Sequence, residues 1–348
     1  MHGCLASPLR VFIFSDRVTD VKICFVGRRA IAHDPIHDNL LHILQQIGDV
    51  TALYPPQPDV VPDPIATAVQ RATFDLYLFW QSDEIASRLL PAIGDRRIVV
   101  VPQDDAVRER PPHWWQQFQT HQFACFSRKA HEMLLRAGLH SSYFQYFPPP
   151  VPTPGLRYAT AAFCWQGQAG ENQDIQKVAE ICRMIGATEL YTPGTGDYPE
   201  AIDFPVTRIA TDRQDLMEQA AASCGFVILP PHAGGFDPFF LQAMARGQIV
   251  VAPDSALVND YIGHQSSGIL YPAENLLAVS RLSNDDMDRI SASARSRIRL
   301  GHERWQRDQG RLKSILMDDG KRWSYSDYAA SFGNLLRQEA HKRTLQIN

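Results

Sequence analysis

No apolar run in this chain approaches the ~18 residues that a membrane-spanning helix requires. The N-terminal region offers only a four-residue apolar core, Val11 to Phe14, which reads as too short for a secretory signal. No two cysteines have C-x-x-C spacing. Cys4, Cys24, Cys125, Cys164, Cys182 and Cys224 are far apart and mostly in apolar settings, which argues for reduced, buried thiols and against a disulfide framework or a zinc site. Charge is not concentrated either. The formal net charge is -4 and the basic residues are scattered, so no polyanionic partner is indicated and nucleic-acid binding is not expected. No G-x-G-x-x-G follows the first strand, which disfavours a dinucleotide-dependent oxidoreductase. The expectation is a soluble, intracellular protein.

What is there is an alternation of short apolar strands and amphipathic helices. With 348 residues, 45% of them hydrophobic, the chain exceeds what one core usually holds, and two domains of roughly 150 residues are expected. Val21 to Val26 reads as a strand ending at Gly27, followed by a helix from Pro35 to Ile47 with Ile36, Leu40, Leu41, Leu44 and Ile47 on one face. Val50 to Tyr54, Leu76 to Trp80, Ile98 to Val101 and Phe123 to Phe126 read as further strands, separated by helices over Glu84 to Ile93 and Arg128 to Ala137. Such a βαβ series implies a parallel sheet covered on both faces. The run Val11 to Ser15 is either an extra strand or a tail.

The second half repeats the theme. Strands are expected over Ala161 to Trp165, Glu189 to Tyr191 and Phe226 to Leu229, with helices over Gln173 to Ile185 and Asp212 to Ala222. Then comes a glycine-broken turn (Gly234, Gly235), a helix beginning near Pro238 and ending at Gly247, a strand from Ile249 to Ala252, and a second helix start after Pro253 and Asp254. In an open parallel sheet that turn lies at the carboxyl edge of the strands, and the helix start offers unpaired N–H groups to a phosphate.

These residues resemble a family, the large group of retaining nucleotide-sugar-dependent glycosyltransferases with the GT-B fold (glycosyltransferase family 4). Its members carry a segment of the form E-G-F-G-x-x-x-x-E-A-M-A-x-G-x-P-V-V-A, followed after a short helix by a glycine and an apolar triplet. Gly235-Phe236, Gln242-Ala243-Met244-Ala245, Gly247, Val250-Val251-Ala252 and Gly268-Ile269-Leu270 fall in register with it. Both glutamates are replaced, by Gly234 and Gln242. The stretch Cys125 to Pro149 also resembles the family: a strand, Ser127, a helix ending in Ala137-Gly138, a strand from Tyr143 to Phe147, and a proline-rich hinge at Pro148-Pro149-Pro150.

The resemblance implies an α/β protein of GT-B architecture, with two Rossmann-like domains facing each other across a cleft and a C-terminal helix crossing back to the first. The corresponding boundaries are an acceptor-side domain over 1–150, a nucleotide-sugar domain over 151–322 and a terminal helix over 323–348, where Tyr325, Tyr328, Phe332, Leu335 and Leu336 recur at helical spacing. It also implies that Gln242 holds the nucleotide ribose, since an amide can accept one hydrogen bond and donate another. In the family an arginine and a lysine in a G-R-x-x-x-x-K-G pattern neutralise the leaving diphosphate. The matching stretch from Gln166 to Gln173 has neither cation. Gln168 and Asn172 are the neutral donors available there, backbone N–H groups at Gly167, Gly170, Gly234 and Gly235 can form an anion nest, and Arg246, Arg208 and Arg28 are candidates for a cation brought in from elsewhere.

Other candidates follow from position. His232, two residues before the glycine pair, is either a contact to phosphate or sugar or a surface histidine without a role. Asp237 and Asp254 read first as helix N-caps. On the acceptor side Arg28, His33, Asp34 and His37 form a polar group able to bind an anion or act as a base, and equally able to cap a helix start. The family often has a polar residue or histidine in the loop after this strand, near the reacting sugar, so the resemblance makes Asp104 or Asp105, following Val99 to Pro102, the candidate to contact the acceptor or stabilise a cation-like centre, with a solvated turn as the alternative. Neither a cofactor nor a metal is expected, since GT-B enzymes generally need none and the nucleotide sugar is a substrate.

Three readings remain open. The leading one is transfer of a sugar from a nucleotide donor to a hydroxyl on a glycan, glycolipid or small molecule, with retention of configuration. The second is an inactive homologue serving as a binding or partner module, which the missing charges favour. The third is a nucleotide-sugar epimerase on the same architecture. The resemblance further implies a cytoplasmic setting in polysaccharide biosynthesis, with peripheral association at the inner face of the membrane left open.

Overall fold

A computed structural model describes residues 10–14, 21–27, 35–55, 65–67, 69, 73–94, 96–152, 160–165, 175–194, 203–210, 213–230, 239–272 and 280–318. The chain divides into two compact units. The first takes Met1–Arg29, Leu40–Phe144 and Gly310–Asn348, and the second takes Ala30–Asn39 and Gln145–Gln309.

The first unit is built on a seven-stranded sheet: β1 (Arg10–Phe14), β2 (Lys22–Gly27), β3 (Asp49–Tyr54), β4 (Leu76–Trp80), β5 (Arg97–Val101), β6 (Gln122–Cys125) and β7 (His140–Tyr143), in the order β1-β3-β2-β4-β5-β6-β7. Strands β2 to β7 run parallel, and β1 pairs antiparallel with β3, Arg10 facing Tyr54. The run that read as strand or tail is therefore an edge strand. Ile23 to Val26 and Leu76 to Trp80 are buried without alternation, as expected of strands covered on both faces. Helix α1 (Pro35–Gln45) buries Ile36, Leu40, Ile43 and Leu44, and α2 (Asp83–Ile93) buries Ile85, Ala86, Leu89 and Ile93. Two short helices, α3 (Asp104–Glu109) and α4 (Pro112–Trp115), follow β5, and α5 (Arg128–Arg136) follows β6. Ser127 caps α5, its Oγ accepting the Ala130 N–H at 3.3 Å. Trp115, Phe118 and Phe123 form an aromatic core group with ring centroids 5.8–6.2 Å apart.

The strand expected over Tyr143 to Phe147 begins and ends earlier. The chain leaves the sheet after Tyr143, and its apolar residues are buried in the second unit instead: Tyr146 packs edge-on against Trp305, Phe147 lies 5.2 Å from the Tyr261 ring, and Gln145 Nε2 donates to Asp260 O at 2.7 Å. Burial without ladder hydrogen bonds has the same hydrophobic signature as a strand.

The second unit carries six parallel strands: β8 (Ala161–Cys164), β9 (Glu189–Pro193), β10 (Val206–Ile209), β11 (Phe226–Ile228), β12 (Ile249–Pro253) and β13 (Ile269–Tyr271), ordered β10-β9-β8-β11-β12-β13. Helices α6 (Ile175–Ile185), α7 (Gln214–Ser223) and α8 (Phe239–Arg246) connect them, and α9 (Asn284–Met317) follows the last strand. Strand β10 has no counterpart in the sequence reading, because three of its four residues are incompletely buried and the apolar signal is weak. The helix expected after Pro253 and Asp254 is one 3-10 turn, Val258–Asp260: Ser255 Oγ accepts the Val258 N–H at 3.4 Å, and Asp254 Oδ1 instead takes the Asn259 amide at 2.6 Å. The terminal helix expected over 323–348 lies outside the described residues.

Cys24, Cys125, Cys164, Cys182 and Cys224 are all buried free thiols. Among the described residues no helix is long and apolar enough to cross a membrane.

Candidate functional site

In the second sheet β8 is flanked by β9 on one side and β11 on the other, so the strand order reverses between β8 and β11. The crevice beyond the carboxyl ends of the two strands at such a reversal is where open α/β sheets bind ligands. Cys164 and Ile228 are in register, and the Trp165 N–H donates to Ile228 O at 2.9 Å. The chain positions 166–174 and 231–238 thus depart from strand ends ~4.8 Å apart. The exit from β11 is held firmly. The Leu229 N–H donates to Val251 O at 2.9 Å, and the Tyr271 hydroxyl donates to Leu229 O at 2.7 Å. Burial pushes that phenol well above its ordinary range, so it stays a neutral donor.

The far end of the second segment returns to the same place. Phe239, the first residue of α8, stacks face to face on Trp165, with centroids 3.8 Å apart and planes 8° from parallel, and Phe163 packs against Phe239 at 6.0 Å. One aromatic pair therefore joins the end of β8 to the start of the helix that carries the signature. The N-terminus of α8 is consequently set at the carboxyl edge of β8 and β11, the end at which a helix dipole favours an anion.

Gln242 stands in the first half of α8 and is half-buried, while Ala243, Met244 and Ala245 are buried under the sheet. Arg246 lies in the last turn, about 10 Å along the axis from Phe239. Burial lowers its pKa, opposed by the charge of Glu218, and Nη1 is buried without a hydrogen-bond partner among the described residues. That position suits the negative end of the helix dipole rather than its anion-binding end. Arg208 sits on the edge strand β10, separated from β8 by β9, about 10 Å in the sheet plane.

Sequence-derived candidates Gly167, Gln168, Asn172, His232, Gly234, Gly235, Phe236 and Asp237 lie outside the described residues, as do Arg28 and His33. What the structure establishes is that both groups of donor-side candidates are attached to neighbouring strand ends. His37 is described: it is buried in the first turn of α1, with Nδ1 3.1 Å from Asp38 Oδ1.

Asp104 and Asp105 do not stand in a loop. They form the first turn of α3, where Arg108 Nε is 3.2 Å from Asp104 Oδ2 and Arg108 Nη2 donates to Asp105 Oδ1. The Asp104 side chain is 12% exposed, and its Oδ1 is buried without a partner among the described residues. Sequence reasoning missed Asp83, the first residue of α2, which is 4% exposed and whose Oδ2 accepts the Gln103 N–H at 3.2 Å. An aspartate in the first turn of a helix reads as a dipole partner, and the signal overlooked was its place one residue after the turn that ends the fully apolar strand β4.

No protein-family model matches the sequence, and no curated protein matches it either. Solved structures do. HepE from Anabaena, solved in complex with UDP and glucose, superposes with TM-score 0.60 at 13% identity over 84% of this chain and 100% of that one. Sucrose-phosphate synthase from Thermosynechococcus elongatus gives TM-score 0.58 at 13% identity, over 92% of this chain and 100% of that one. A glycosyltransferase from Rickettsia africae gives 0.56 at 8% identity, over 87% and 100%. At such identities the likeness establishes the fold, and the fold is GT-B.

Proposed function

We propose that this protein is a glycosyltransferase that takes its sugar from a nucleoside diphosphate sugar, with UDP as the nucleotide, bound beyond the carboxyl ends of β8 and β11. The observation that carries the reading is the strand reversal there, which attaches both donor-side segments and the N-terminus of α8 to one edge. HepE, which shares the fold, was solved with UDP and with glucose. In this reading Gln242 hydrogen-bonds the ribose, and the α8 N-terminus with the neutral donors Gln168 and Asn172 receives the diphosphate as its charge builds. Neutral donors are about half as strong as charged ones, so turnover is expected to be slow. The acceptor is a hydroxyl, and transfer retains configuration.

One feature favours a second reading. The two glutamates and both cations of the family pattern are absent from 166–173 and at 234 and 242, as expected of a homologue that binds nucleotide or partner without catalysis. Thermal shift with UDP, GDP, dTDP, ADP and CMP, followed by assay of UDP release from UDP-glucose, separates the two. Stabilisation by UDP with release supports the transferase; stabilisation without release of sugar from any donor supports the binding module; no stabilisation by any nucleotide overturns both.

A further inference from the structure

Strand β7 closes the first sheet at one edge, and its last residue, Tyr143, is flanked by two arginines that reach it from different helices. Arg128, the first residue of α5, places its Cζ 5.6 Å from the centroid of the Tyr143 ring. Arg311, near the end of α9, donates from Nη2 to Tyr143 O and lies with its Cζ 4.5 Å over the Phe144 ring. Both arginines are exposed. The His131 ring, in the first turn of α5, stacks on that of Tyr143 with centroids 6.1 Å apart, and its Nδ1 is 2.9 Å from Ser141 Oγ. All of these residues belong to the first unit.

We propose that the end of β7 is a binding site for a phosphate group, held between Arg128 and Arg311. The inference goes beyond the transferase reading and does not depend on it. An aromatic ring holds a guanidinium by its face, whereas a phosphate is met by the rim, which carries five N–H donors. Arginines already held against rings also lose less side-chain freedom when an anion arrives. The helix adds to their charge. The first turn of α5 contains Arg128 and Lys129, both exposed, and no acidic residue, so two cations stand at the positive end of a helix dipole, an arrangement that a bound anion relieves. The one carboxylate of α5, on Glu132, is 3.6 Å from Arg136 Nη2, one turn further on.

His131 registers the field of the two arginines. Its imidazole is lowered to about 4, first by burial and then by the charges of Arg311 and Arg128. It is therefore neutral near pH 7, and the positive charge at the strand end comes from the arginines. A phosphate bound there offsets both guanidinium charges and makes protonation of the imidazole easier. His131 thus reports occupancy of the site without having to touch the ligand. Soluble phosphate esters and lipid headgroups both carry the group that this chemistry recognises.

The test uses the full chain, with ionic strength held constant by sodium chloride. Inorganic phosphate and glucose 6-phosphate are titrated while the amide resonances of Arg128, His131 and Tyr143 are followed by NMR, and cosedimentation is measured with phosphatidylglycerol and phosphatidylcholine vesicles. The expectation is saturable shifts at these residues, binding about tenfold weaker in Arg128→Gln and in Arg311→Gln, and binding within about twofold of the parent in Arg136→Gln. The His131 imidazole should titrate at higher pH in phosphate than in chloride, and excess UDP should leave the shifts in place. Shifts with the soluble phosphates and no cosedimentation support the site with a free phosphate as its ligand. Cosedimentation with phosphatidylglycerol alone, weakened in the same two variants, supports it with a lipid headgroup. The parent's own resonances and sedimentation carry the reading if a variant fails to fold. Neither local shifts nor selective cosedimentation overturns the proposal. Equal weakening by Arg136→Gln, or loss of the shifts when UDP is added, overturns it too.

Discussion

The indole of Trp165 and the ring of Phe239 lie parallel, 3.8 Å apart, across 74 residues of sequence. The stack ties the last residue before one donor-side segment to the first residue after the other. It is the described contact on which the geometry of the proposed nucleotide site depends.

Removing either ring should therefore loosen both segments at once. Phe239→Ala and Trp165→Ala should each lower stability by ~1–3 kcal/mol, less than a fully buried aromatic because both are half-buried. Their coupling in a double-mutant cycle should be about 1 kcal/mol. Urea denaturation gives the stabilities, and UDP titration of each variant should show weaker binding wherever the fold survives.

Gln242 occupies the position of the family's ribose-binding glutamate. Gln242→Ala should weaken UDP by about fivefold, the worth of one hydrogen bond of ~1 kcal/mol. Gln242→Glu should bind at least as tightly as the parent, since a carboxylate accepts from a ribose hydroxyl more strongly than an amide oxygen. Calorimetric titration with UDP and with uridine reads both.

Arg246, by contrast, lies in the last turn of α8, away from the anion-facing end. Arg246→Gln should leave UDP affinity within about twofold of the parent, because its backbone lies ~10 Å along the axis from the helix start and its charge is opposed by that of Glu218. A large loss of affinity would instead place Arg246 on the diphosphate.

Asp83 should give the chain a measurable pH dependence of stability. Its carboxyl titrates near 7 when folded and near the ordinary 3.8 when unfolded, because burial disfavours the charge. The folded state thus holds the proton more tightly. The contribution is fully present below about pH 4 and is lost as pH rises toward and through 7. Asp83→Asn cannot titrate there, so the difference in melting temperature between variant and parent should rise in the variant's favour from pH 4 to pH 8.

Much of this architecture was legible in the sequence because buried parallel strands leave uninterrupted apolar runs. Leu76 to Trp80 and Ile249 to Ala252 are nearly or completely inaccessible, and both were readable to within a residue. Where burial and strand pairing part company the reading failed: Tyr146 and Phe147 are buried by Trp305 and Tyr261 rather than by a ladder, and the half-exposed β10 left no signal. The helix expected to end at Gly247 was legible as well, and Gln242 stands in it as α8. Asp83 was not, because its significance comes from a contact with Gln103 twenty residues away across two strand ends. Short helices such as α3 are likewise set by tertiary contacts, which local periodicity does not record.

Hydrogen–deuterium exchange with and without UDP tests the central claim most directly. The account predicts saturable UDP binding with slowed exchange in peptides covering 166–174 and 231–246, at the ends of β8 and β11. Binding that protects other peptides while leaving these two unchanged, or no binding at millimolar UDP, would contradict it.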